Sequence, residues 1–556
     1  MRNLAFLVLV AAVTGLWWAH ARRRPLAPLL AERARIESLA ELGAPSLENG
    51  FLAASYLYGK TRELIVAPLL APESSRAIRV DVDMPIQPMV SRDGQWIALR
   101  DYLHRARRLH ILTTASGAEK ALIEVGPEGR IEGASWSPDS RSIAYVKNSP
   151  SGADLWLFDI TQRRSERVIA DAYAPIAWSP DGLQIAFHRS GALFATNLRG
   201  DGAARRLGST SAQGGCVEWS YNGKWVAFCG AQESGCDRLV LHEVATGADR
   251  ILAHQRCLSH IAWSPRSDAI AMAGREQPIS IARIASGEIQ PLADARGVVK
   301  ALGVAADGAV LWAATSPNRP YSFWRLSVRG GLPQSILTSL PQTERFQQTM
   351  QRLDGPGVPI FRFSRTCGEA RERGPSLIWL PCGGIDGTPR WLQEIAYLNL
   401  HGITVFMIDV DGEERVKIEA AMAAVARIKQ QPDVDELFLF SCCGASALGY
   451  SVMVREASSL RGAIDLHGTA GEAISKPLEG IAQIPPLLWM TLQQDRAAAS
   501  RNGLRDLLRD RGLQLIDKSY DTNHWYQDAP ARKQILRDLV EFIRKRSRYD
   551  CENQMR

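Results

Sequence analysis

One short phrase recurs along much of the chain, and few folds can accommodate it. The strong copies are Trp136-Ser137-Pro138-Asp139, Trp178-Ser179-Pro180-Asp181-Gly182, Trp219-Ser220-Tyr221-Asn222-Gly223 and Trp263-Ser264-Pro265. Weaker copies are Val90-Ser91-Arg92-Asp93-Gly94 and Val304-Ala305-Ala306-Asp307-Gly308. Successive copies begin 46, 42, 41, 44 and 41 residues apart. Each is followed by an alternating strand, such as Ile143-Ala144-Tyr145-Val146 or Ile185-Ala186-Phe187, and then by a second hairpin, as at Leu155-Trp156-Leu157-Phe158-Asp159. Four short strands at a period of about 40–45 residues is the pattern of a β-propeller. The Trp is expected to anchor one blade on the next, and the Asp-Gly to form the hairpin. Six copies imply six to seven blades over residues 50–345. Two strands in residues 61–80 lack the phrase and are read as completing a seventh blade, with strands from the end of the repeat region as further contributors. A propeller alone specifies no chemistry.

The repeated phrase resembles the TolB-type propeller repeat. The chain has 556 residues, room for two to four domains. Its net charge of +7, from 66 basic and 59 acidic residues, is thinly spread and includes no long basic run, which argues against a nucleic-acid partner. One segment is apolar enough to enter a bilayer: Leu4 to Ala19, after Arg2 and before Ala21. Residues 1–21 therefore read as a signal peptide or a membrane anchor. Ala19-His20-Ala21 favours cleavage, whereas Trp17, Trp18 and Arg22 to Arg24 favour an anchor. The expected location is exported (periplasmic or extracellular) or membrane-anchored through this segment, with a cytoplasmic body as the third reading. Residues 22–49 are expected to form an N-terminal helical segment. Cys216, Cys229, Cys236 and Cys257 cluster within 42 residues. Cys216 and Cys229 flank Asn222-Gly223 symmetrically, which suits a disulfide across a hairpin in an oxidising compartment; four buried thiols is the alternative. No Cys or His spacing suits a metal, and no cofactor is implied.

After about residue 345 the repeat gives way to helices alternating with apolar strands, the signature of an α/β parallel sheet. The strands are read at Leu377–Leu380, Ile403–Ile408, Leu437–Phe440, Ala463–Leu466, Leu487–Met490 and Leu513–Ile516. Helices are read at Val416–Lys429, Leu504–Arg511 and Arg532–Lys545; the last places Ile535, Leu536, Leu539, Phe542 and Ile543 on one face. This domain is assigned to 346–548, with 549–556 a tail.

A propeller followed by a compact α/β domain resembles the prolyl oligopeptidase family of serine peptidases. Leu353-Asp354-Gly355 with Ile360-Phe361 resembles that family's lead into its α/β-hydrolase domain. Asp433 and Asp435 before Leu437–Phe440 resemble its approach to the nucleophile strand. Laid on this pattern, Cys443 stands at the nucleophile elbow, with Ser441 and Ala445 in place of the flanking glycines. Ser446 is the alternative nucleophile. It would put Leu448 where a small residue belongs and shift strand and helix by three residues, so spacing favours Cys443. His524, between the last strand and the last helix, matches the catalytic histidine. Asp495, after Leu487–Met490, matches the acid. Pro381-Cys382-Gly383-Gly384 resembles the family's oxyanion turn, with Gly383, Gly384 and the N–H of Gly444 as the hole.

The resemblance implies a hydrolase of short peptides or small acyl substrates that works through a Cys-His-Asp triad, with the propeller gating access. Cysteine is chemically competent there, because a neighbouring imidazolium and a helix N-terminus both lower a thiol pKa. The alternative is a catalytically inactive hydrolase fold whose propeller is a binding or scaffold module.

Overall fold

A computed structural model of the protein describes most of residues 41–549. Residues 1–40 and 550–556 lie outside the description, as do 210–215, 339–347, 366–373, 382–391, 467–483, 494–504, 523–528 and several shorter stretches. The expected leader or anchor and the helix read at Leu504–Arg511 fall wholly or largely there. Among the described residues no helix is long and apolar enough to cross a membrane.

Seven antiparallel sheets follow one another in sequence order between Glu41 and Thr338. Their first strands pack against one another around a ring. Ser46–Glu48 of the first blade meets both Pro85–Val90 of the second and Val298–Val304 of the seventh, which closes the circle. The fold is thus a seven-bladed propeller.

The repeated phrase has a direct physical cause. Its Ser hydroxyl donates to the acidic or amide side chain of the turn: Ser91 to Asp93 (2.6 Å), Ser137 to Asp139 (2.6 Å), Ser179 to Asp181 (2.5 Å) and Ser220 to Asn222 (2.8 Å). The same hydroxyl accepts the N–H five residues on, as from Ser142 and Gln184. The acidic oxygen accepts the N–H two residues on, as from Arg141 and Leu183. These bonds close a tight turn locally. The Trp indoles reach back one blade: Trp136 donates to the Met89 carbonyl (2.9 Å), Trp178 to Ser135 (3.1 Å) and Trp263 to Glu218 (3.3 Å). In the fifth blade, Cys216 and Cys229 are joined by a disulfide with a Cα–Cα distance of 5.2 Å.

The first blade departs from expectation in two ways. Glu41–Leu42 and Ser46–Glu48, in the stretch read as helical, are short strands that both pair with Phe51–Tyr58. Among the described residues the blade is also built entirely from the N-terminal side, because the last described strand of the repeat region, Gln334–Thr338, forms the outer edge of the seventh blade.

Beyond the propeller lies one eight-stranded sheet. Its strands are β1 (Gln348–Leu353), β2 (Ile360–Arg365), β3 (Ser376–Leu380), β4 (Thr404–Ile408), β5 (Leu437–Cys442), β6 (Leu460–Leu466), β7 (Leu487–Leu492) and β8 (Leu515–Tyr520). Their spatial order is β1-β2-β4-β3-β5-β6-β7-β8. The β1-β2 and β2-β4 pairs are antiparallel and the rest parallel. Helices α1 (Gln393–Leu400), α2 (Glu414–Lys429), α3 (Ser446–Arg455) and α4 (Ala529–Arg544) flank it. Alternation along each strand feeds two cores. Leu377, Trp379, Phe438 and Phe440 pack with α1 and α4, whereas Ile378, Leu380, Leu437 and Leu439 pack with α2 and α3. The five apolar residues read on one face of the last helix are all buried.

Candidate active site

Strands β3, β5, β6, β7 and β8 run parallel, so their carboxyl ends share one edge, where α/β sheets bind ligands. The segments singled out in the sequence leave from this edge. Pro381 follows β3, Cys443 follows β5, Gln493 follows β7 and Asp521 follows β8. The last two departures are tied together: the N–H groups of Gln493 and Thr522 both donate to the Tyr520 carbonyl at 2.9 Å. Tyr520 is itself fixed by its hydroxyl, which donates to Asp538 of α4 at 2.7 Å. Burial and that carboxylate hold its phenol far above the usual range. Gly383, Gly384, Asp495 and His524 lie outside the described residues, as does the side chain of Cys443.

At the elbow, β5 runs to Cys442 and passes through a 3₁₀ turn, Cys443–Ala445, into α3. Cys443 thus stands at the strand-to-helix junction, and Ser446 opens the helix. Gly444 is exposed, with nothing within 4 Å of where a Cβ would sit. Cys442 is buried and disulfide-bonded. Among the described residues, non-glycine positive φ occurs at Ser140, Arg163, Asp171, Ser190 and Ser267, all in the propeller.

Ser446 does not face the edge as a free hydroxyl. It is fully buried, and its Oγ donates to Asp465 of β6 at 2.5 Å. The other Asp465 oxygen accepts the Tyr450 hydroxyl at 3.3 Å. The first turn of α3 is thereby fastened to the strand beside the elbow. Close approach of α3 to β5 depends on Gly449, where a Cβ would lie 2.3 Å from Ser441 Oγ.

Two features escaped the sequence reading. Asp465 sits within the apolar run Ala463-Ile464-Asp465-Leu466, and a lone carboxylate in a buried strand was the available signal. Arg532 of α4 and Glu394 of α1, 138 residues apart, form a buried ion pair at 3.3 Å between the helices that follow the His524 and Gly383-Gly384 segments. No local pattern announces such a pair. Asp433 and Asp435 are bound structurally, the first by Arg362 of β2 and the second by the Tyr549 hydroxyl at 2.6 Å. Among the described residues no group of three His, Cys, Asp or Glu side chains could hold a metal ion.

No protein-family model matches the sequence, and no curated protein matches it. Solved structures do match. A puromycin-hydrolyzing peptidase of Mycobacterium tuberculosis superposes with a TM-score of 0.69 at 14% identity, covering 94% of this chain and 96% of its own. This chain shares that fold over nearly its whole length. A prolyl endopeptidase gives 0.63 at 14% identity, with 93% and 91% covered. The acylaminoacyl peptidase of Pyrococcus horikoshii gives 0.59 at 12% identity, with 92% and 97% covered. These neighbours are peptidases of the prolyl oligopeptidase and acylaminoacyl peptidase group, with seven-bladed propellers.

Proposed function

We propose that this chain is a prolyl-oligopeptidase-like hydrolase, with an α/β-hydrolase domain that cleaves short peptides or related acyl bonds through Cys443, His524 and Asp495. The observation that carries this reading is the convergence of the β3, β5, β7 and β8 carboxyl ends on one edge, in the chain order nucleophile, acid, histidine. Burial of Ser446 on Asp465 favours Cys443 as nucleophile. The disulfides suit an oxidising compartment, and with it an exported or membrane-anchored protein.

In this mechanism the Cys443 thiolate attacks the substrate carbonyl and forms the C–S bond. The oxyanion is met by the N–H groups of Gly383, Gly384 and Gly444. His524, oriented by Asp495, protonates the leaving nitrogen as the C–N bond breaks. Water, deprotonated by His524, then releases the acid and regenerates the thiolate. Turnover of p-nitrophenyl esters and aminoacyl anilides should vanish in Cys443→Ala and persist in Ser446→Ala.

The second reading, an inactive hydrolase fold with the propeller as binding module, is favoured by two observations at the elbow. The strand enters the helix through a 3₁₀ turn, and the thiol beside Cys443 is held in a disulfide. Absence of turnover on every ester and anilide tried, under both reducing and non-reducing conditions, would select it.

A further inference from the structure

The turn carrying the repeated phrase leaves the innermost strand of its blade, so these turns ring one mouth of the propeller axis. In a ring of seven, the second and fifth blades stand as nearly opposite as seven allows. Yet the guanidinium of Arg92, in the second blade's turn, lies over the ring of Tyr221, in the fifth blade's turn, with Cζ 6.0 Å from the centroid. Contact between equivalent turns of opposite blades runs across the axis. Tyr221 is 47% exposed, a large aromatic ring on a turn where the other strong copies of the phrase carry proline.

Both turns that reach across are also held from the neighbouring blade. The Asp93 N–H donates to Ser140 Oγ at 3.1 Å, and the Asn222 N–H donates to Ser267 Oγ at 3.1 Å. Ser140 and Ser267 stand where other copies of the phrase have glycine, and they hold its left-handed backbone at φ 61° and 59°. L side chains rarely adopt that conformation. Here each supplies the hydroxyl that fixes the preceding turn.

We propose that Arg92 and Tyr221 form a latch across the propeller axis that limits the size of molecule admitted through that mouth. The admitted molecule as substrate rests on the hydrolase reading; the latch itself does not. In the full chain, an Arg92→Cys/Tyr221→Cys variant treated with a short bis-maleimide should yield one intramolecular cross-link joining the two turns, absent from either single variant. Labelling of both cysteines by N-ethylmaleimide without any cross-link overturns the latch. In the activity arm, Arg92→Ala and Tyr221→Ala should raise kcat/KM on a long internally quenched peptide about two- to fivefold, the worth of an exposed cation–π contact. They should leave p-nitrophenyl acetate unchanged. No change, or an equal change on both substrates, overturns the size-selecting role. If the wild-type chain turns over neither substrate, the hydrolase reading fails and the cross-link alone decides the latch.

Discussion

Replacing Ser446 by alanine separates a structural hydroxyl from a catalytic one. The residue is 0% exposed, its acceptor Asp465 is 2% exposed, and the bond between them measures 2.5 Å. Removing a hydrogen bond to a charged, buried group costs about 1.5–3 kcal/mol. The Tyr450 hydroxyl, at 3.3 Å from the other oxygen, remains to partner the carboxylate. Ser446→Ala should therefore lower the unfolding free energy by about 2 kcal/mol in a urea titration, with an unchanged slope. It should keep kcat/KM within about tenfold of wild type, whereas loss of a nucleophile costs on the order of a millionfold in kcat. A large fall in activity with unchanged stability would refute the reasoning, because it would make Ser446 the attacking group and Asp465 an incidental neighbour.

Arg532→Met breaks the buried pair with Glu394 and should cost about 3–5 kcal/mol by urea unfolding, with the Arg532→Met/Glu394→Met pair recovering much of it. His188, His260 and His401 are each pushed down to about 4, by burial first and, for His260 and His401, also by Lys300 and Arg544 respectively. Their folded pKa values lie below the unfolded value, so the stability they contribute is complete above about pH 6.5 and is lost as pH falls toward 4. For buried His188 the loss between pH 7 and 5 is on the order of 2 kcal/mol, and His188→Gln should flatten that part of a stability-against-pH curve. Cys216→Ala opens a loop of sequence separation 13 and should lower stability by roughly 3 kcal/mol, matching the effect of reductant on that disulfide in the wild type.

The propeller is legible because its information is local. A Ser hydroxyl that bridges to an Asp two residues away must appear as a fixed phrase, and it does so blade after blade. The first blade carries no such phrase. Its innermost position is divided between two strands of two and three residues, too short to show alternation, and so the stretch was read as helix. The strands of the α/β domain announce themselves as apolar runs because both faces are covered. Trp379 and Phe440 pack at 4.4 Å on one face while Ile378 and Leu439 fill the other. The site divides in the same way. The order of Cys443, Asp495 and His524 along the chain follows from counting strands, whereas Asp465 with Ser446 and Glu394 with Arg532 meet only through the fold. Arg92 and Tyr221 lie far apart in sequence and belong to turns that look alike; only closure of the ring brings them face to face.

Thiol reactivity at the elbow tests the central claim most directly. The native chain is alkylated with iodoacetamide across pH 5–9 without reductant, and Cys443 modification is followed by peptide mass spectrometry in the wild type and in His524→Ala. A nucleophile paired with an imidazole titrates below the ordinary thiol value of about 8.5. The account predicts rapid Cys443 labelling with such a depressed midpoint, a return toward the ordinary value in His524→Ala, and no labelling of disulfide-bonded Cys442. Labelling of Cys443 that is absent, or identical with and without His524, would contradict it.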